Sequence, residues 1–364
     1  MSLDSVLGHA AAVARLRRRT AEGTLGHALL LSGPESVGKT CMALGVADLM
    51  LRRHAWPGPL NTHPDLWVED GDGERIGIDR VRAGGDHDSL QRFLALRAYA
   101  AGSRVAILAR AERLTDQAAN CLLKSIEEPP PGTHLLLTAA SPERLPQTIL
   151  SRCEQISLGP VPETEIAGWL ATTGAENAEI CARLAAGRPG HARRLADDPD
   201  TLRRELASLN RFLAVGGGGL TAAIAAAGEL AGSGGGADAR ERLLVQLAVW
   251  GSFCRDAACY AAGAPELARW TSHRPALEGW AAALSPGRAG EILGAVLQAA
   301  SDIAAYSNPR LTLEVLFIDI FAAVEHPPAV DVAVVGPPEP AEKLPAPSSP
   351  RRGSSRGRSA DSAT

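Results

Sequence analysis

The chain reads as an α/β protein with a parallel sheet in its N-terminal part and helices thereafter. Three observations predict this. An apolar run, Ala28-Leu29-Leu30-Leu31, leads into Gly33-Pro34-Glu35-Ser36-Val37-Gly38-Lys39-Thr40 and then a helix-like segment from Cys41 to Leu51. Residues 1 to about 158 alternate apolar strand-like runs with helical patterns, as a βαβ series does. Past Pro160, apolar residues recur only at helical spacing.

The elements follow in order. Strands are expected at Ala28–Leu31, Leu66–Glu69, Val105–Ala109, Leu135–Thr138 and Gln155–Leu158. Leu158-Gly159-Pro160-Val161-Pro162 punctuates the chain. Short helices are expected from Glu163 to about Leu206, interrupted at Gly187-Arg188-Pro189-Gly190. The glycine patches Gly216–Gly219 and Gly232 with Gly234–Gly236 read as loose connections within a third, helical region running to about Val324. There, Arg240–Tyr260 and Ala289–Tyr306 carry apolar residues as a bundle would. From His326, Pro, Ser, Ala and Arg dominate and periodicity vanishes, which predicts a disordered tail. The expected division is therefore 1–158, 159–206, 207–325 and 326–364.

With 364 residues and 45% hydrophobic content, a sizeable core over two or three domains is possible. Aromatics at 4% argue against recognition by base stacking, and a net charge of −4 gives no global field toward DNA. No apolar run reaches membrane-spanning length, and Met1–Asp4 does not open a signal peptide. The expected place is the cytoplasm. Cys41, Cys121, Cys153, Cys181, Cys254 and Cys259 form no CxxC pair, so reduced structural thiols are expected. Arg351, Arg352, Arg356 and Arg358 could touch nucleic acid; a solvated basic end is the simpler reading.

GxxxxGK[ST] between strand and helix is a P-loop, which predicts ATP as ligand. Gly33 and Gly38 let backbone N–H groups approach phosphate oxygens, and the helix N-terminus adds roughly half a positive charge. Lys39 would reach the β/γ-phosphates, and the Thr40 hydroxyl would hold Mg²⁺.

Two dense segments are more specific. Val105 to Pro130 includes Ala118-Ala119-Asn120-Cys121-Leu122-Leu123-Lys124-Ser125-Ile126-Glu127-Glu128-Pro129-Pro130, and Leu135 to Cys153 ends in Thr148-Ile149-Leu150-Ser151-Arg152-Cys153. Together they resemble the AAA+ clamp-loader family. Thr62-His63-Pro64-Asp65-Leu66 and Asn308-Pro309-Arg310-Leu311 are similar to its delta-prime branch. The resemblance covers roughly residues 1–325 and implies a RecA-like AAA+ domain, a helical lid and a helical collar. It implies a hetero-pentamer with gamma/tau and delta subunits, acting on the sliding clamp and primer-template DNA within a DNA polymerase III holoenzyme.

The resemblance also implies roles. Active subunits carry an Asp-Glu pair before the AAN helix, for Mg²⁺ and for water. Aligned on that helix, these positions hold Arg110 and Ala111. Glu112 comes late, and strand alternation would point it away. ATP binding with little or no hydrolysis is therefore expected. Arg152 is expected to act in trans on a neighbour's γ-phosphate, a task suited to a planar, permanently charged guanidinium. Thr138 falls at the first sensor, or is an ordinary strand threonine. A second sensor should fall near Arg188–Arg194, with Gly190 and His191 competing for the position and Arg193 and Arg194 nearby. Val6-Leu7-Gly8-His9 matches an adenine-contacting loop, or is a plain turn before a helix at 10–19. Asn120–Glu128 reads as an amphipathic helix stopped by Pro129–Pro131 at a subunit boundary. The four zinc-binding cysteines common in the family before the HPD stretch are missing from Leu51–Thr62, so zinc is not expected. The alternatives are an ATP-hydrolysing gamma/tau-type motor and a stand-alone DNA-binding AAA+ protein.

Overall fold

The computed structural model describes residues 2–51, 56–71, 75–84, 89–100, 102–217, 219–231, 237–270, 273–305 and 307–324. The expected tail at 326–364 and the patch Gly232 with Gly234–Gly236 lie outside these residues.

Five parallel strands form one sheet: β1 (Ala28–Ser32), β2 (Leu66–Glu69), β3 (Arg104–Leu108), β4 (Thr133–Ala139) and β5 (Glu154–Ser157), in the order 2-3-4-1-5. Read from the other edge the order is 5-1-4-3-2, with the Gly33–Thr40 loop leaving β1, as expected of the RecA-like core that the resemblance implies. The three central strands are almost wholly buried, which is why they read as unbroken apolar runs. Their alternate residues feed two cores. Leu29, Leu31, Val105, Ile107 and Leu136 pack with Leu16 of α1 (Ala10–Glu22) and with Met42 and Val46 of α2 (Lys39–Leu51). Leu30, Ala106, Leu108, Leu135 and Leu137 pack on the opposite face. There they meet Val81 of α3 (Ile78–Val81), Phe93 of α4 (Leu90–Ala95), Leu122 and Ile126 of α5 (Asp116–Glu127), and Ile149 of α6 (Gln147–Leu150).

The rest of the described chain is helical: α7 (Glu163–Thr172), α8 (Ala178–Leu184), α9 (Pro189–Asp197), α10 (Pro199–Gly217), α11 (Gly219–Ala231), α12 (Ala237–Ala261), α13 (Arg274–Ala283), α14 (Pro286–Ala304) and α15 (Pro309–Ala323). One correction concerns Gly216–Gly219. The helix α10 runs through Gly217 and α11 starts at Gly219, whose φ of 72° suits glycine. Glycine there makes a corner between two helices, because buried Leu213, Ala223 and Ala227 give both ends a core to join.

Asn308-Pro309-Arg310-Leu311 is a helix start. Asn308 Oδ1 accepts from the amides of Arg310 (3.0 Å) and Leu311 (3.3 Å), while Pro309 occupies a position that needs no N–H donor. The few aromatics are concentrated around Phe212, which stacks on Trp250 at 5.0 Å and meets Trp280 at 5.6 Å and Phe253 at 6.4 Å. Buried side chains from Val161 to Val324 form one continuous core.

Candidate nucleotide site

The loop from Gly33 to Thr40 joins β1 to α2 at the C-terminal edge of the sheet. Gly33 (φ 141°), Ser36 (φ 61°) and Gly38 (φ 113°) lie in left-handed or extended positive-φ regions. A Cβ on Gly33 would stand 2.1 Å from Leu158 O, so packing against the end of β5 demands this glycine as firmly as phosphate approach does. Lys39 is buried. Its Nζ donates to Gly33 O (2.6 Å) and Pro34 O (2.7 Å). Burial lowers its pKa, opposed by the negative charges of Glu112 and Glu35 and reinforced by Arg110. Backbone amides at a helix start, a lysine and the Thr40 hydroxyl form a donor set that fits nucleotide phosphates. Among the described residues no group of three or more His, Cys, Asp or Glu is placed to hold a metal.

The neighbouring strand ends complete this edge. Gly33 N donates to Ala139 O at 3.2 Å. Thr138 is buried on β4 opposite Leu31, and its hydroxyl accepts from Arg110 N at 3.1 Å. Beyond Leu108 the chain leaves strand geometry, with Arg110 at φ 52° and a 3-10 turn over Ala111–Arg113. Strand alternation therefore does not govern Glu112. Its Oε1 accepts from Ala140 N at 3.0 Å, beside the residue that anchors Gly33. Sequence reasoning missed this placement because it extended the strand through Ala109. The positive φ at Arg110 carries no residue-type signal such as Gly or Asn, so nothing local announces the turn.

Helix α9 sits directly on the loop. Gly190 N donates to Ser36 O (2.9 Å), and Arg194 Nη2 donates to Ser36 Oγ (3.2 Å). Arg193 pairs instead with Asp197 and His191 with buried Glu205, so of these three Arg194 is the one that meets the loop. Val6 and His9 also lie against it: His9 Nε2 is 3.4 Å from Val37 O.

Arg152 lies elsewhere. It precedes β5, whose Glu154 is level with Leu29 and whose Ser157 is level with Ser32. The arginine thus stands at the entry end of the sheet and the P-loop at the exit end. Roughly 10 Å of strand rise separates Glu154 from Ser157, and Arg152 is further back. Its guanidinium is part-exposed, with Nε 2.8 Å from Glu127 Oε1 and Nη1 donating to Thr148 O at 3.0 Å.

His63 and Asp65 form a buried brace. Asp65 accepts from the amides of Tyr99 and Ala100, both at 2.7 Å, and lies 3.6 Å from Arg104. His63 Nδ1 accepts from Asp65 N at 3.1 Å.

Residues 8–162 match the family described as DNA polymerase III, delta subunit. Over 134 residues the chain is 42% identical to DNA polymerase III subunit delta' of Haemophilus influenzae, covering 35% of this chain and 39% of that one. The Escherichia coli K12 protein of the same name is 38% identical over 150 residues, 40% of this chain and 43% of that one. Over this segment the chain is similar to DNA polymerase III delta' subunits. A tau/gamma subunit of Haemophilus influenzae is more distant, 29% identical over 171 residues, 46% of this chain and 25% of that one. The matched part spans less than half the length of each relative. Within the delta' segment lie the P-loop, Thr138, Glu112 and Arg152; the helices that follow Val161 lie almost entirely beyond it.

Proposed function

We propose that this chain serves in a cytoplasmic DNA polymerase III clamp loader as a delta'-type subunit beside gamma/tau and delta. It holds ATP with Mg²⁺ at Gly33–Thr40, hydrolyses little of it alone, and presents Arg152 to a nucleotide bound by its neighbour. The clamp and primer-template DNA are reached through the complex. The observation that carries this reading is the placement of Arg152: it is surface-accessible, and the length of β5 keeps it from its own P-loop, so any γ-phosphate it meets is bound by another chain. Within this reading residues 1–158 are the nucleotide domain, 159–206 the lid and 207–325 the collar.

The test is Arg152→Ala in a loader reconstituted with its own partner subunits. Exposed ion pairs contribute under about 1 kcal/mol, so folding and assembly are expected to survive. DNA-stimulated ATP hydrolysis is expected to fall at least roughly tenfold, since fingers of this kind contribute about 10³–10⁵ in rate. Unchanged turnover in a correctly assembled complex would remove the trans role. On the purified chain, ATP titration with phosphate release in the same samples tests the rest. Rapid turnover abolished by Lys39→Ala would make the chain a motor.

A further inference from the structure

We propose that Glu112 is the acid on the metal side of this chain's nucleotide site, taking the place that Arg110 and Ala111 leave without a carboxylate. This rests on the reading that the P-loop holds ATP with Mg²⁺. The left-handed turn at Arg110 ends the strand early and swings Glu112 onto the exit edge of the sheet. There Ala140 N donates to its Oε1, while the adjacent Ala139 O accepts from Gly33 N. The carboxylate and the first residue of the P-loop are thus anchored to consecutive residues at the end of β4, Ala140 and Ala139. Glu112 Oε2 is buried and has no hydrogen-bond partner among the described residues. A buried carboxylate oxygen without a partner is costly in a folded protein, and a water, an ion or a ligand group would satisfy it. Of the charges acting on Lys39, that of Glu112 is the strongest.

The neighbouring groups leave this task to Glu112. Ala111 is buried and carries no donor atom, and Arg110 Nη1 points to Gly71 O at 3.4 Å. A magnesium ion on nucleotide keeps several waters and needs only one or two protein oxygens beside the phosphates. Thr40 and Glu112 supply such a pair, the carboxylate acting directly or through one of those waters.

A structural role alone, as acceptor for Ala140 N or as counter-charge to Lys39, predicts different behaviour from a metal-side acid. Glu112→Gln separates them, because the amide oxygen still accepts from Ala140 N and only the charge is lost. ATP binding to the full-length chain would be measured by calorimetry, with Mg²⁺ and with EDTA. For the wild type, Mg²⁺ is expected to tighten binding. For Glu112→Gln, metal-free ATP should bind as well or better, since a negative charge near the phosphates is gone. The gain from Mg²⁺ should fall roughly tenfold, the usual scale for losing a supporting carboxylate. Glu112→Asp should recover part of that gain, which also guards against a folding defect in the glutamine variant.

An equal Mg²⁺ gain in wild type and Glu112→Gln, or a parallel loss of affinity with and without metal, would overturn the assignment and leave nucleotide binding standing. No ATP binding by the wild type under either condition would overturn both.

Discussion

Gly33→Ala tests what the first glycine of the P-loop is for. Its φ of 141° is closed to L-residues, and the new Cβ would meet Leu158 O at 2.1 Å and Leu158 C at 3.1 Å. That carbonyl cannot easily yield, because Leu158 N is tied to Ser32 O at 2.8 Å and the end of β5 is thereby fixed against β1. Backbone strain of this kind costs about 1–3 kcal/mol. Forcing apart a packed contact adds about 1–3 kcal/mol more. Gly38→Ala carries similar strain at φ 113°, yet its nearest outside atom is Val6 Cγ1 at 4.0 Å, so the second contribution is missing. Gly33→Ala should therefore be worse by about 1–3 kcal/mol, read as local opening free energy from hydrogen exchange of peptides spanning residues 28–32. Equal protection in the two variants, or greater loss in Gly38→Ala, would refute the packing reasoning. Lost ATP affinity with unchanged exchange in Gly33→Ala would return this glycine to a role in phosphate approach alone.

His273 is buried and its pKa is pushed down to about 4 by loss of solvent. The unfolded chain protonates near its ordinary 6.5, so between these values the unfolded state binds more protons and stability is lost as pH is lowered, by about 3 kcal/mol in full. Urea melts from pH 7 to 4 should show this slope, flattened in His273→Gln; equal slopes would exclude His273 as the source. Asp65→Ala should destabilise by about 3–5 kcal/mol, leaving two amides without their acceptor and the buried Arg104 without its counter-charge, and Asp65→Asn by less. A urea midpoint close to wild type for Asp65→Ala would deny the brace its role. At Gly190 even a single Cβ would sit 3.1 Å from Ser36 O, so Gly190→Val should lift α9 from the loop. Hydrogen exchange over residues 187–197 should then rise, and protection equal to wild type would show that the contact yields.

The sheet was legible because its central strands are buried on both faces, and Leu29–Leu31, Val105–Leu108 and Leu135–Leu137 announce that directly. The P-loop and the arginine segment were legible because both depend on local strings. Contacts between distant segments were not. Arg194 and Arg193 are adjacent, and only the seating of α9 decides which one meets Ser36. The HPD stretch suggested kinship, while its chemistry, a carboxylate closing the turn before β3, depends on amides more than thirty residues away. At Gly216–Gly219 composition suggested slack, and the shared core of α10 and α11 overrode it.

The unbroken core from Val161 to Val324 has a mechanical consequence. Close-packed interiors transmit displacement because they do not compress. Helix α9 of this body touches Ser36, and its last helix, α15, carries Leu311, Val315 and Ile318 outward on one exposed stripe. A small tilt of α9 on its seat therefore grows with distance along the helices. A shift begun at the P-loop would in this way be carried through the core to the exposed stripe on α15.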